Sequence, residues 1–201
     1  MEWRWKAIWN HEFPVSPVRV LIVGAGGAAR AAAVQCLEEG ASQLWVANRT
    51  VAKAEAIVER VGKKNAKAVS VEEVGSLIPP GTLVINATSL GLNPDDPLPI
   101  PVEDLPEQCL LFDMIYNPSE TAFLAGGKAR GYPVSNGLGM LVHQGVRSLE
   151  IWTGDPVDAS VMRAACEAAL PSGAEGGLAP FSRRCRGRRG GRWRSCRTNR
   201  R

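Results

Sequence analysis

A glycine-rich turn between an apolar run and an alanine-rich stretch constrains the fold of this chain most strongly. Residues 18–23 (VRVLIV) are nearly all apolar and rich in β-branched side chains, as in a parallel strand that is buried on both faces. The glycines follow at once, and residues 28–39 then favour a helix that ends at Gly40. This order predicts a strand, a tight turn and a helix.

Further apolar runs and helical stretches alternate along the chain. The predicted strands are residues 44–47, 66–71, 82–86, 110–115 and 132–134. The predicted helices are residues 51–61, 71–78, 121–130, 138–152 and 157–170. Strands that alternate with helices at this spacing predict a doubly wound α/β fold, in which helices cover both faces of a parallel sheet.

The turn itself has a pattern that is typical of dinucleotide-binding proteins. Residues 24–29 (GAGGAA) form the variant G-x-G-x-x-A, between a predicted strand and a predicted helix. The first glycine permits the tight turn, the second lets backbone amides approach a pyrophosphate, and Ala29 allows close packing of helix on strand. The positive end of the helix dipole also favours an anion there.

The residues after the second predicted strand indicate which dinucleotide binds. Proteins that bind NAD usually carry Asp or Glu at this point, where the carboxylate contacts the ribose 2′-hydroxyl. This chain has Asn48, Arg49 and Thr50 there, with Lys53 one helical turn further on. Because no carboxylate repels a 2′-phosphate and Arg49 can bind one, the sequence predicts NADP.

Composition excludes several other classes of protein. Five cysteines form no C-x-x-C pair, so neither a metal site nor a disulfide framework is predicted. No apolar stretch approaches about 18 residues, so we expect no membrane span and a cytoplasmic location.

Ten arginines lie between residues 183 and 201, where no acidic residue occurs. They could bind nucleic acid, but aromatic side chains for base stacking are sparse there, and we expect no such role.

Five motifs, taken together, resemble shikimate dehydrogenase over residues 18–170. They are GAGGAAR at residues 24–30, Asn48 to Thr50, NATSLG at 86–91, DMIYNP at 113–118 and NGLGMLVHQ at 136–144. The resemblance implies an NADP-dependent oxidoreductase that interconverts 3-dehydroshikimate and shikimate in aromatic amino-acid (chorismate) biosynthesis. The alternatives are a non-catalytic NADP-binding module and a quinate/shikimate dehydrogenase, although the latter more often has an acidic residue near Arg49.

The resemblance also implies roles for individual residues. The pyrophosphate would be held by Gly24, Ala25, Gly26, Gly27 and Ala28. The 2′-phosphate would be held by Asn48, Arg49, Thr50 and Lys53. Thr88, Met114 and Gly137 would lie near the nicotinamide, and Tyr116 and Gln144 would face the shikimate hydroxyls. None of these residues is predicted to be catalytic.

The resemblance also predicts the domain organisation of the chain. We predict a leader without family likeness (residues 1–17), an NADP-binding Rossmann domain (18–154), a C-terminal helix (155–170) and a disordered Arg-rich tail (171–201). The family's first domain binds shikimate and supplies a catalytic Lys-Asp pair, which residues 1–17 do not resemble. The sequence therefore predicts a truncated form that is inactive alone, and it does not predict an oligomeric state.

Overall fold

Six strands form one parallel sheet in the computed structural model, which describes residues 19–170. The strands are β1 (Arg19–Val23), β2 (Gln43–Ala47), β3 (Ala66–Val69), β4 (Leu83–Asn86), β5 (Leu110–Asp113) and β6 (Val134–Ser135). Their spatial order is β3-β2-β1-β4-β5-β6, and each neighbouring pair is parallel. This is the strand order of a Rossmann fold, and it confirms the predicted doubly wound α/β class.

Helices cover both faces of this sheet. They are α1 (Gly27–Glu38), α2 (Val51–Val61), α3 (Val74–Leu77), α4 (Ala122–Ala129), α5 (Leu138–Thr153) and α6 (Ala159–Ala169), with a 3-10 turn at Val102–Asp104. Within the described residues, none of the helices has the length and apolar character needed to cross a bilayer. The predicted leader and Arg-rich tail lie outside the described residues.

Alternate side chains of each strand enter two separate hydrophobic cores. Val20 and Ile22 of β1 pack with the inner faces of α1 and α2. Leu21 and Val23 pack on the opposite side, with α3, α4 and the segment that contains the 3-10 turn. All four side chains are buried, which is why this strand carries an uninterrupted apolar run instead of an alternating one.

The last strand begins two residues later than the sequence predicts. Residues 132–134 were predicted as a strand, whereas β6 is Val134–Ser135. The backbone N–H of Tyr132 donates to the Gly127 carbonyl at the end of α4, so it is not available to the ladder. Its hydroxyl donates to the backbone carbonyl of Leu105 or Pro106. The side chain of Tyr132 therefore holds the loop that contains Leu105 and Pro106 next to the start of β6.

The predicted C-terminal helix is present as α6, which packs against α5. A Cβ added to Gly145 of α5 would lie 2.7 Å from the Met162 sulfur, so the two helices approach closely at this glycine. None of the residues of α6 is fully buried. The helix is thus held by one face only.

Candidate functional site

The point where the strand order reverses lies between β1 and β4, and the glycine turn lies at its carboxyl edge. Gly24 follows β1 with a φ of +113°, which an L side chain rarely adopts. A Cβ on Gly24 would lie 3.0 Å from both the Ala87 carbonyl oxygen and the Thr88 methyl group, just beyond β4. The two loops therefore touch across the switch point, where open α/β sheets bind ligands.

Above the turn, the backbone is open. A Cβ on Gly26 or Gly27 would meet no atom within 4 Å, and both residues are exposed, as is Ala28, whereas Ala25 packs against the core. Gly26 is the N-cap of α1, and neither a side-chain cap nor an acidic residue occupies the first turn of the helix. This end of the helix can therefore accept an anion close to its backbone amides.

The predicted phosphate-binding residues after β2 lie on one exposed corner. Asn48 donates from its side-chain amide to the Thr50 carbonyl at 2.9 Å, which fixes the turn into α2. Arg49, Thr50 and Lys53 are all exposed. Neither Arg49 nor Lys53 forms an ion pair with any residue between 19 and 170. Two uncompensated cations at this corner can bind a phosphate.

On the other side of the switch point, Met114 and Gly137 are in direct contact. A Cβ on Gly137 would lie 2.1 Å from the Met114 carbonyl oxygen, so only glycine fits. The Gly137 N–H donates to the Ile115 carbonyl at 3.0 Å, and the Asn136 side chain donates to the Ser119 carbonyl at 2.8 Å. These bonds hold the start of α5 against the loop that follows β5.

A buried polar network joins the loops after β4 and β5. The side-chain amide of Asn86 donates to Asp113 Oδ1 at 3.0 Å, and the hydroxyl of Thr121 donates to Asp113 Oδ2 at 2.7 Å. Asn86 also accepts from the backbone N–H and the hydroxyl of Thr88, at 3.0 and 2.7 Å. Exposure is 0% for Asn86, 0% for Asp113 and 2% for Thr121, so these three side chains are buried, whereas Thr88 is half-buried.

Asn86 and Asp113 lie within sequence motifs and Thr121 lies at the start of a predicted helix, but the sequence alone predicts no role for any of the three. A signal was present, because two strands that are otherwise apolar, LVIN and LLFD, each end in a polar residue. Burial raises the pKa of the Asp113 carboxyl, and the hydrogen bonds from Thr121, Ile115 and Asn86 oppose that rise. Each oxygen of the carboxyl has at least one donor, as a buried charge requires.

Tyr116 and Gln144 are less closely connected to the rest of the site. Tyr116 is half-buried three residues beyond β5, at the same sheet edge as Met114. Gln144 is exposed on α5, seven residues after Gly137, a rise of about 10 Å along the helix. Within the described residues, neither side chain makes a hydrogen bond, so both are free to bind a polar ligand.

Metal-binding residues do not cluster anywhere in the described part of the chain. No group of three or more His, Cys, Asp or Glu side chains there is placed to hold a metal ion. The site consists instead of an open helix N-terminus, two exposed cations and two interlocked loops. Fold and site together define a Rossmann-type α/β protein.

Comparison with known proteins places the chain within that class. The family profile described as shikimate/quinate 5-dehydrogenase matches residues 8–92, and the profile for the shikimate 5'-dehydrogenase C-terminal domain matches residues 137–167. The chain belongs to the shikimate dehydrogenase family. Curated members of the family that match this chain include NADP(+)-dependent shikimate dehydrogenases, which are oxidoreductases.

Individual relatives agree with this assignment. Shikimate dehydrogenase (NADP(+)) of Methylobacterium radiotolerans is 42% identical over 134 residues, which cover 67% of this chain and 47% of that protein. The shikimate 5-dehydrogenase of Thermus thermophilus, solved with NADP(H) and shikimate, superposes with a TM-score of 0.71 at 37% identity, over 82% of this chain and 60% of that one. A 5-ketofructose reductase of Gluconobacter, also 37% identical, gives a TM-score of 0.68 over 82% and 61%. The chain therefore spans about half the length of the curated relatives that it matches.

Proposed function

We propose that this chain binds NADP and provides the cofactor-binding part of an enzyme that reversibly reduces 3-dehydroshikimate to shikimate. The family assignment supports the reaction, and the geometry of the site supports the cofactor. The proposal includes a cytoplasmic location and small-molecule partners, without a nucleic-acid ligand.

One observation carries the cofactor assignment. The corner after β2 presents Arg49 and Lys53 as exposed cations without an ion-pair partner among the described residues, and no carboxylate occupies the position after β2 where NAD-binding proteins have one. A planar guanidinium can hold a 2′-phosphate through two parallel hydrogen bonds, and the ammonium of Lys53 adds a second charge. The ribose 2′-hydroxyl of NAD would gain neither contact.

The remaining residues along the sheet edge bind different parts of the cofactor and of the substrate. The turn at Gly24 and Gly26 lets the backbone of α1 approach the pyrophosphate. Thr88 and Met114 contact the nicotinamide from the loops after β4 and β5. NADPH, when bound, would supply the hydride for the reduction, and NADP+ would accept it in the reverse direction. Tyr116 and Gln144 then bind and orient the hydroxyl groups of the substrate. Once a substrate-binding domain is supplied, faster NADPH formation from quinate than from shikimate would assign the alternative, a quinate/shikimate dehydrogenase.

Arg49→Ala tests the cofactor assignment. The wild-type chain should bind NADPH at least about tenfold more tightly than NADH, because the charge-assisted contact to the 2′-phosphate is made by NADPH alone. The substitution should remove most of that difference and leave NADH affinity unchanged. Fluorescence titration of both dinucleotides measures the two affinities.

Arg60→Ala is the matched control for this experiment. Arg60 is an exposed arginine in the last turn of the same helix that carries Lys53 near its start. Its loss should leave the preference for NADPH intact, because it lies at the opposite end of α2. Equal affinities of the wild-type chain for NADPH and NADH would refute the proposed role of Arg49.

A further inference from the structure

Resting on the proposed function, we propose that Asn86, Asp113 and Thr121 form a positioning unit that sets the nicotinamide end of the site. None of the three side chains is accessible to a ligand, since all are buried. They would act through Thr88 and Met114, the residues that we place against the nicotinamide.

The hydrogen bonds of the unit reach both loops at once. Asn86 uses both of its amide hydrogens, on Asp113 Oδ1 and on the Leu90 carbonyl at 3.1 Å, and its oxygen accepts twice from Thr88. Asp113 Oδ1 also accepts from the Ile115 N–H at 3.0 Å, directly after Met114. One Asn-Asp pair therefore determines where the loop after β4 and the loop after β5 lie relative to each other.

Thr121 fixes the orientation of this pair. Its hydroxyl donates to Asp113 Oδ2 and accepts from the Leu124 N–H at 3.3 Å, as the N-cap of α4. The carboxylate thus lies at the positive end of a helix dipole, and the Thr121 hydroxyl aligns it. Without that hydroxyl, Asp113 Oδ2 would have no donor among the hydrogen bonds given by the described residues, and rotation of the carboxyl would disturb Asn86 and then Thr88.

The unit lies far from the corner that we assign to the 2′-phosphate. Asp113 ends β5 and Arg49 follows β2, and three strand spacings, about 14 Å, separate these strands. A disturbance of the unit should therefore affect the nicotinamide half of the cofactor and spare the adenosine half. A general loss of folding would affect both halves.

Thr121→Val, in the full chain, separates these possibilities, with Thr121→Ser as the matched control that keeps the hydroxyl. Calorimetry would measure the affinities for NADPH and for 2′,5′-ADP, which contains the adenosine half without nicotinamide. Thr121→Val should bind NADPH about tenfold more weakly and 2′,5′-ADP within about twofold of the wild type. Thr121→Ser should bind both ligands like the wild type.

Three results would overturn the inference: unchanged NADPH affinity in Thr121→Val, equal weakening of both ligands, or the same loss of NADPH affinity in Thr121→Ser. If Thr121→Val does not fold, Asp113→Asn serves as the second variant, because it keeps the shape of the side chain but removes the acceptor that faces Thr121. The same split between the two ligands is expected. A wild-type chain that binds neither ligand would instead refute the proposed function.

Discussion

Replacing Gly137 by alanine is expected to lower the melting temperature of the chain by about 6 °C or more. The added Cβ would lie 2.1 Å from the Met114 carbonyl oxygen and 2.6 Å from its carbonyl carbon. Because both atoms belong to the backbone, no change of side-chain rotamer can relieve the clash. Overpacking of this kind costs about 3 kcal/mol or more, and each kcal/mol lowers the melting temperature of a domain this size by about 2–4 °C.

The φ of Gly137 is −74°, which alanine adopts readily, so the clash is the only cause of the expected loss. Gly27→Ala is the matched control, because the new methyl group would meet no atom within 4 Å at the first position of α1. That variant should be as stable as the wild type or slightly more stable, since alanine favours helix. A melting temperature of Gly137→Ala close to that of Gly27→Ala would contradict the observed contact between the two loops.

Gly26→Ala is expected to weaken NADPH binding by about thirtyfold or more while it leaves the fold intact. The backbone of Gly26 is extended, with φ −85° and ψ −168°, and a Cβ there meets no atom of the chain within 4 Å. The empty space above it is where we place the pyrophosphate, and the second glycine of this pattern is needed for that close approach. The methyl group would therefore clash with the ligand alone, at a cost of about 2 kcal/mol.

The melting temperature of the same variant is the internal control for this second prediction. It should lie within about 4 °C of the wild type, because the substitution changes the free energy of unfolding by less than about 1 kcal/mol. Unchanged NADPH affinity in a folded Gly26→Ala chain would show that the cofactor does not approach this turn. The pair of glycine variants thus separates a steric requirement of the fold from one of the ligand.

The fold could be predicted from sequence because its strongest elements carry local signals. The apolar run before Gly24 and the glycine after α2 determine β1 and α2, and α2 was predicted with the bounds that it has. Shorter elements were less accurate: α3 begins at Val74, three residues later than predicted, because the Ser70 N–H is bound by the Glu73 carboxylate in a turn. The 3-10 turn was missed because its segment has no helical or strand periodicity.

The site could be predicted only in part, because some of its contacts join residues that are far apart in the chain. Arg49 was predicted from its position after β2 and Thr88 from the resemblance to the family, and the roles of both remain proposals. The buried network was not found, because the side chains of Asn86 and Asp113 are 27 residues apart and only the pairing of β4 with β5 brings them together. A single sequence shows which residues end strands, but not which strands are neighbours.

Titration of the 201-residue chain with NADPH tests the central claim most directly. The account predicts saturable binding of one NADPH per chain, at least about tenfold tighter than NADH, measured by calorimetry under identical conditions. The absence of saturable NADPH binding up to about 1 mM would contradict it. A dissociation constant of 1 mM corresponds to a binding free energy of about −4.1 kcal/mol.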